Sequence, residues 1–256
     1  MIFTIAAKEL KALFASPLAW VLLTIMQLLL AYTFLRRLDD FLQAQPQLGR
    51  MASPPSVTEL VAAPTFATAA GMMLFIVPLL GMRLIAEERR NQTMVFLTSA
   101  PLSLTEIVLG KFAGLFAFLM LVIALAAAMP LALAGSTALD YGLLASLVLG
   151  LTLLAAAFAA ASLYASSLTS HPFVAAIAAF GVLLGMLLAG ETAGESLRRR
   201  DLSVPAALVQ VLSPIKNFEP LAKGMVDTHA VACLLLLIAA LLALTVRHLE
   251  GQRLRG

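Results

Sequence analysis

Long uncharged apolar runs constrain the fold of this chain more than any other feature. Runs without Asp, Glu, Lys or Arg cover residues 17–35, 60–82, 112–139, 141–190 and 230–246. A helix needs about 20 apolar residues to cross a bilayer, and helices satisfy their own backbone hydrogen bonds there. The fourth run is too long for one helix, and its polar cluster at residues 166–172 divides it in two. The pattern predicts an all-α integral membrane protein with six transmembrane helices.

We predict one transmembrane domain over residues 1–256, with both termini on the same side because the number of spans is even. The predicted spans cover residues 17–35, 62–86, 112–134, 142–166, 172–189 and 229–247. Two polar segments, residues 36–61 and 190–228, are predicted as extracellular loops. In the second, Ser203 and Pro205 favour a helix start, apolar residues recur at helical spacing, and Pro214 is expected to end the pattern. This predicts a short re-entrant or interfacial helix before span six.

The N-terminal segment predicts an amphipathic helix over residues 2–14, lying in the membrane interface. Its apolar side chains share one arc of a helical wheel, whereas Lys8, Glu9 and Lys11 lie outside that arc. The apolar set is Ile2, Phe3, Ala6, Leu10, Leu13 and Phe14. Membrane lipids are the expected partner of this helix.

Composition excludes several classes of protein. The chain is 61% hydrophobic and 12% charged, against about 45–50% and 25% in soluble domains. Its basic residues are scattered at span ends without interleaved aromatics, so no nucleic acid is expected. The single Cys233 and three distant histidines do not predict a metal site. The apolar runs contain no Asp, Glu, Lys or Arg, which disfavours an ion-coupled transporter, since such groups are costly in lipid and serve function there.

A nucleotide site is not expected in this chain. Gly110 and Lys111 resemble the end of a phosphate-binding loop, but Thr105 stands where that motif needs glycine. Phe112 stands where the motif needs a magnesium-binding hydroxyl. No convergent set of nucleophile, base and oxyanion donors is visible, so the chain is not expected to be an enzyme and no cofactor is assigned to it.

The segment at residues 83–111 is dense in charge and lies between two apolar runs. It has the residues for a helix, a turn and a second helix, because Pro101 breaks the chain and Ser103 with Glu106 forms a capping-box pattern. Such a loop is able to pass motion from a cytoplasmic motor into two spans. A positively charged anchoring loop is the alternative. Its charge and the basic termini place this side in the cytoplasm, although Arg198, Arg199 and Arg200 argue the other way.

Small residues suggest where helices pack closely. Gly181 and Gly185 form a G-x-x-x-G pattern in the fifth predicted span, and Ala155 with Ala159 offers a similar surface in the fourth. Either surface suits a dimer contact. Ordinary packing within one subunit is the alternative.

Residues 87–111, EERRNQTMVFLTSAPLSLTEIVLGK, resemble the hallmark loop of type-2 ABC transporter permeases. The pattern there is E-[KR]-[KR]-x-x-T, then L-T-x-x-P, then E-I-x-x-G-K. The stretches KELKALFASPLAW, PLLGMRLIAEE and LSPIKNFEPLAKGMVD resemble, in order, the gliding-motility (GldF-like) branch. Asn91, Gly81 and His171 depart from the usual pattern.

The resemblance implies a permease subunit of an ATP-driven exporter in the bacterial inner membrane, with both termini cytoplasmic. It would bind two cytoplasmic ABC ATPase subunits, which hold ATP and magnesium, and pair with a second copy or a homologous permease. Residues 2–14 would be the interfacial helix, and charge reversal at Glu88 or Arg89 is expected to loosen the ATPase. The residues implied in ATPase coupling are Glu87, Glu88, Arg89, Arg90, Thr93, Met94, Phe96 and Leu97.

A scaffold role is the alternative function. An ABC-like membrane subunit would then transmit ATPase motion through the segments at residues 36–61 and 190–228 to a periplasmic or GldG-like auxiliary partner, without moving a substrate. The substrate class does not follow from the residues of the spans.

Overall fold

The computed structural model describes residues 1–48, 54–92, 103–135, 137–193 and 209–253. In these ranges all regular secondary structure is helical. The helices are α1 (Ile2–Ala15), α2 (Pro17–Leu48), α3 (Ala63–Gly81), α4 (Ala86–Arg90), α5 (Leu104–Leu131), α6 (Tyr141–Leu168), α7 (Pro172–Leu188), α8 (Pro214–Ala222) and α9 (Thr228–Arg253). A π-helical turn at Thr58–Ala62 precedes α3, and another at Ala189–Ala193 follows α7.

Six of the described helical segments are long and apolar enough to cross a membrane, which confirms the six-span prediction. They are Pro17–Leu48, Thr58–Arg90, Leu104–Leu131, Tyr141–Leu168, Pro172–Glu191 and Thr228–Arg253. The chain is therefore a multi-pass membrane protein.

Helix α6 is the centre of the bundle. It packs against α3, α5, α7, α8 and α9, and most of its length is buried. Ala155 and Ala159 are fully buried on it, so this small surface packs helices within the subunit. By contrast, α2 presents exposed apolar side chains such as Ile25 and Leu28, as expected of a lipid-facing helix.

The predicted loop at residues 36–61 is largely helical, so that prediction was wrong for most of its length. Helix α2 continues to Leu48, and the π-helical turn begins at Thr58. Arg36 donates a hydrogen bond to the Tyr32 hydroxyl, and Gln43 donates one to Asp39, each across one helical turn. The charged residues after Leu35 end the apolar run of α2 but not the helix itself. Side-chain pairs four residues apart, such as these two, stabilise a helix where it extends beyond the membrane.

The second span was predicted as one helix over residues 62–86, and the structure corrects this. Helix α3 ends at Gly81, and a bend at residues 82–85 separates it from the short α4. The start of α5, in contrast, confirms the capping box: Ser103 accepts from the Glu106 backbone, and Glu106 accepts from the Ser103 N–H.

The segment before the last span follows its prediction in part. Residues 209–211 of the predicted helix at 204–215 are helical, and this helix ends before Pro214 as predicted. Pro214 also begins a further helix, α8, that was not predicted, which suits proline because its missing N–H is not needed in the first turn. Residues 204–208 of the predicted helix lie outside the described residues. Ser146 donates a hydrogen bond of 2.7 Å to the Leu221 carbonyl. This bond fixes α8 against α6.

Candidate coupling site

A buried lysine joins three helices at one end of the bundle. Lys111 of α5 has no solvent exposure, and its Nζ lies 2.8 Å from Glu9 Oε1 of α1 and 2.8 Å from Glu88 Oε1 of α4. Lys8 Nζ lies 3.6 Å from the same Glu88 oxygen. We call Lys8, Glu9, Glu88 and Lys111 the Lys111 cluster; its two ammonium groups and two carboxylates balance in charge.

Burial makes these contacts strong. An isolated charge is costly to bury, whereas a pair with good geometry and hydrogen bonds compensates most of that cost. Lys111 donates to Glu9 within hydrogen-bond distance, so its charge is neutralised on both sides. Displacing any one of the three helices would separate opposite charges in a region of low dielectric. The cluster therefore holds α1, α4 and α5 in one fixed arrangement.

Two glycines allow α1 to come close enough for this contact. A Cβ at Gly110 would lie 2.6 Å from Ile5 Cβ, and one at Gly114 would lie 2.6 Å from Glu9 Cβ. Only glycine fits such a close helix approach. Sequence reasoning missed the cluster, although its signal was the Gly110-Lys111-x-x-Gly114 pattern.

The structure also corrects the placement of Glu9 on α1. Glu9 was placed on the polar side of the helix, but it is the one buried residue of α1, because Lys111 compensates its charge. Phe3, which was placed on the apolar face, is exposed on the subunit surface, as are the lipid-facing side chains of α2. Lys8 and Lys11 are both exposed.

The bend between α3 and α4 is completed by a serine from α6. Ser166 Oγ accepts hydrogen bonds from the Ile85 and Ala86 N–H groups, at 3.1 and 3.0 Å. It donates to the Met82 carbonyl at 3.0 Å. A hydroxyl has one donor and two acceptor lone pairs, so all its capacity is used. The bend interrupts the backbone hydrogen bonds of the helix at Met82, Ile85 and Ala86, and the three hydrogen bonds of Ser166 replace them.

A close contact beside the bend accounts for Gly81. A Cβ at this position would lie 2.6 Å from Ser162 Cβ on α6. Gly81 was noted above as a departure from the pattern of the resembled permeases. In this chain it allows α3 and α6 to touch.

The predicted coupling residues fall into two sets. Glu87, Glu88, Arg89 and Arg90 form most of α4, whereas Thr93, Met94, Phe96 and Leu97 lie outside the described residues. Glu88 turns inward to the Lys111 cluster, and Arg89 donates a hydrogen bond to Gln252 of α9. Arg90 is exposed. Charge reversal at Glu88 would therefore disturb the bundle as well as any surface on α4.

Comparison with known families shows the family of this chain. A sequence model of the family described as "ABC-2 family transporter protein" matches residues 3–251. The chain belongs to this family. No curated protein matches the chain. As an ABC-2 family member it is the membrane permease component of an ABC transporter rather than its catalytic subunit, and membership implies an ATPase partner and a typically dimeric arrangement.

In the ABC-2 permease, α1 and the last turns of α9 both contact α4. Lys8 reaches Glu88 from α1, and Gln252 reaches Arg89 from the last turns of α9. The first and last helices therefore meet at the same end of the bundle, which agrees with an even number of spans.

The glycines of α7 point out of the subunit. A Cβ at Gly181 or Gly185 would meet no atom within 4 Å, so neither glycine packs against a helix of the same described subunit. The suggestion that they contact a second permease subunit stays a prediction. Ala155 and Ala159, by contrast, are inside the core.

Within the described part of the ABC-2 permease, no group of three or more His, Cys, Asp and Glu side chains could hold a metal ion. Lys111, which resembled the end of a phosphate loop, faces two carboxylates instead. Its surroundings therefore suit a lysine and repel a phosphate.

Proposed function

We propose that this chain is the permease subunit of an ATP-driven exporter, in which a cytoplasmic ATPase binds α4 and the residues after it. The observation that supports this is the Lys111 cluster. It ties the predicted docking helix to α1 and to the start of a membrane-spanning helix through buried ion pairs.

Because of the bend, a movement of α4 would be transmitted to the bundle through helices other than α3. Because α3 ends at Gly81, a displacement of α4 acts first on the groups that hold it. These are Lys111 on α5, Ser166 on α6 and Gln252 on α9. Motion of a bound ATPase would thus reach three spans at once, and Glu9 would extend it to α1.

The partners and location follow the same proposal. Two ATPase subunits would carry ATP and magnesium, and a second copy or a homologous permease would complete the membrane part. We place the protein in the bacterial inner membrane with α1, α4 and both termini in the cytoplasm, which the basic residues near the termini and in residues 83–111 support. The order of the resembling stretches supports the GldF-like branch.

The decisive experiment distinguishes binding of the ATPase from transmission of its motion to the membrane-spanning helices. Arg90→Glu, on the exposed side of α4, should reduce co-purification of the ATPase. Glu9→Gln should leave the ATPase bound but lower the ATPase activity that depends on the permease, because α1 loses its charge contact with Lys111. Lys11→Gln, on the exposed side of the same helix, is the matched control. Wild-type coupled activity in Glu9→Gln at equal ATPase occupancy would exclude the transmission role.

Vesicles distinguish the exporter from the scaffold. Reconstituted complex that moves a lipid, glycan-lipid or hydrophobic compound with ATP supports export. ATPase activity that responds only to an added envelope partner, with nothing moved, would replace export by the scaffold role.

A further inference from the structure

A cavity of about 520 Å³ lies between α1, the start of α2, the end of α3 and α4. Its volume is in the range of small-molecule sites in proteins, about 300–1,000 Å³. The lining combines two kinds of side chain. Charged groups include Lys8, Arg83 and Glu87, and apolar groups include Leu13, Leu79 and Leu80.

The surroundings of the cavity match the surface of a membrane. Trp20, one residue beyond the lining of α2, is half-exposed and donates a hydrogen bond of 2.7 Å to the Phe14 carbonyl. Tryptophan is enriched at the level of lipid headgroups. Past Trp20, α2 exposes Ile25 and Leu28 to its surroundings. The cavity thus lies where headgroups give way to acyl chains.

Three charged groups of the lining remain open to a ligand. Arg83 Nε is 3.9 Å from Glu87 Oε2, at the outer limit of an ion pair, and both side chains are 46% exposed. Lys8 is 65% exposed and 3.6 Å from Glu88. Lys111, in contrast, is enclosed between Glu9 and Glu88. The accessible rim therefore offers two cations and one carboxylate.

We propose that this cavity binds one aminophospholipid, with a phosphodiester and a primary ammonium in its headgroup. Arg83 and Lys8 would bind the phosphate, since a guanidinium donates to phosphate oxygens in a fork geometry. The Glu87 carboxylate accepts hydrogen bonds from the ammonium. The acyl chains lie against Leu13, Leu79 and Leu80 and continue along the exposed apolar face of α2. The assignment does not depend on an ATPase partner.

The charges around the cavity favour an aminophospholipid over phospholipids with a choline or glycerol headgroup. A choline headgroup has no N–H to donate to Glu87. A glycerol headgroup leaves the lipid with a net negative charge beside that carboxylate and provides no cation for it. A charge-assisted hydrogen bond favours the primary ammonium by about tenfold, equivalent to about 1.4 kcal/mol.

Native mass spectrometry of the purified permease tests the site. The protein is exchanged into equal mixtures of phosphatidylethanolamine, phosphatidylcholine and phosphatidylglycerol, and retained lipid is counted. Wild type should keep one phosphatidylethanolamine with about tenfold preference. Glu87→Gln should keep a lipid but lose the preference over phosphatidylcholine, and Arg83→Gln should retain less of every lipid. Lys11→Gln, on α1 but outside the residues of that helix that line the cavity, should behave as wild type.

Several results would overturn the assignment. Equal retention of the three lipids by wild type excludes the class, and this comparison needs no variant to fold. Unchanged preference in Glu87→Gln removes the carboxylate from recognition. Displacement of the lipid by glycerophosphoethanolamine at equal concentration would show that the ligand is a soluble headgroup compound rather than a lipid.

Discussion

The two ends of the bundle use charge in opposite ways. At the α4 end, Lys111 and its carboxylates are buried and join three helices. At the α8 end, Lys216 lies 3.0 Å from Glu191 and 3.3 Å from Glu219, and all three side chains are at least one-third exposed. Exposed pairs are screened by water and salt, whereas buried pairs are not. The α4 end is therefore built to resist displacement, and the α8 end is held mainly by packing and hydroxyl contacts.

Removing the buried cation should have the largest effect. Lys111→Met leaves Glu9 and Glu88 without their shared buried partner, so we expect a loss of about 3–5 kcal/mol in the free energy of unfolding. Lys11→Met, on the exposed face of α1, should change it by less than about 0.5 kcal/mol. Denaturation of both variants in detergent measures the difference. Equal stabilities would mean that the cluster does not hold the helices together.

Separating α1 from α5 sterically should have the next largest effect. Gly114→Val places side-chain atoms where Glu9 Cβ already lies, and overpacking of this kind costs about 1–3 kcal/mol. Gly71→Val is the control, because a Cβ at Gly71 meets nothing within 4 Å. Proteolysis of α1 together with thermal unfolding reports the change. Protection of α1 equal to that of the Gly71 variant would refute the close-packing account.

Two serines on α6 should respond differently. Ser166→Ala leaves the buried Ile85 and Ala86 N–H groups without an acceptor, with an expected cost of about 1–3 kcal/mol. The buried Ser162 hydroxyl has no hydrogen-bond partner among the described residues, so Ser162→Ala should be neutral or slightly stabilising. Thermal unfolding compares the pair. A similar loss in both variants would show that packing at α6, rather than the bend, decides stability.

The ion pairs of the α8 end should matter least. Lys216→Met is expected to cost no more than about 1 kcal/mol, and less in 1 M salt. The hydrogen bond to Glu191 raises the pKa of Lys216, while burial opposes this. Because the folded-state pKa lies above the ordinary value of about 10.4, the contribution is complete below about pH 10 and falls as the pH rises through the raised pKa. A loss comparable to that of Lys111→Met would remove the contrast between the two ends.

Periodicity and run length predicted the number and order of the spans, because the requirement to satisfy backbone groups in lipid acts on local sequence. The capping box at Ser103 is likewise local. The Lys111 cluster was missed since Glu9 and Lys111 are 102 residues apart, and only packing through Gly110 and Gly114 brings them together. The bend after Gly81 was missed for the same reason: its hydrogen-bond partner belongs to another helix.

The serine at the bend also sets an order of events during synthesis. Ser166 follows Ala86 by 80 residues, and its helix is the fourth to enter the membrane. Until then two backbone N–H groups of the bend lack their native acceptor, so a nascent chain with only three spans has not completed this bend. The orientation of α4 is thus among the later features to be established, and a chain that stops before α6 leaves it unfinished.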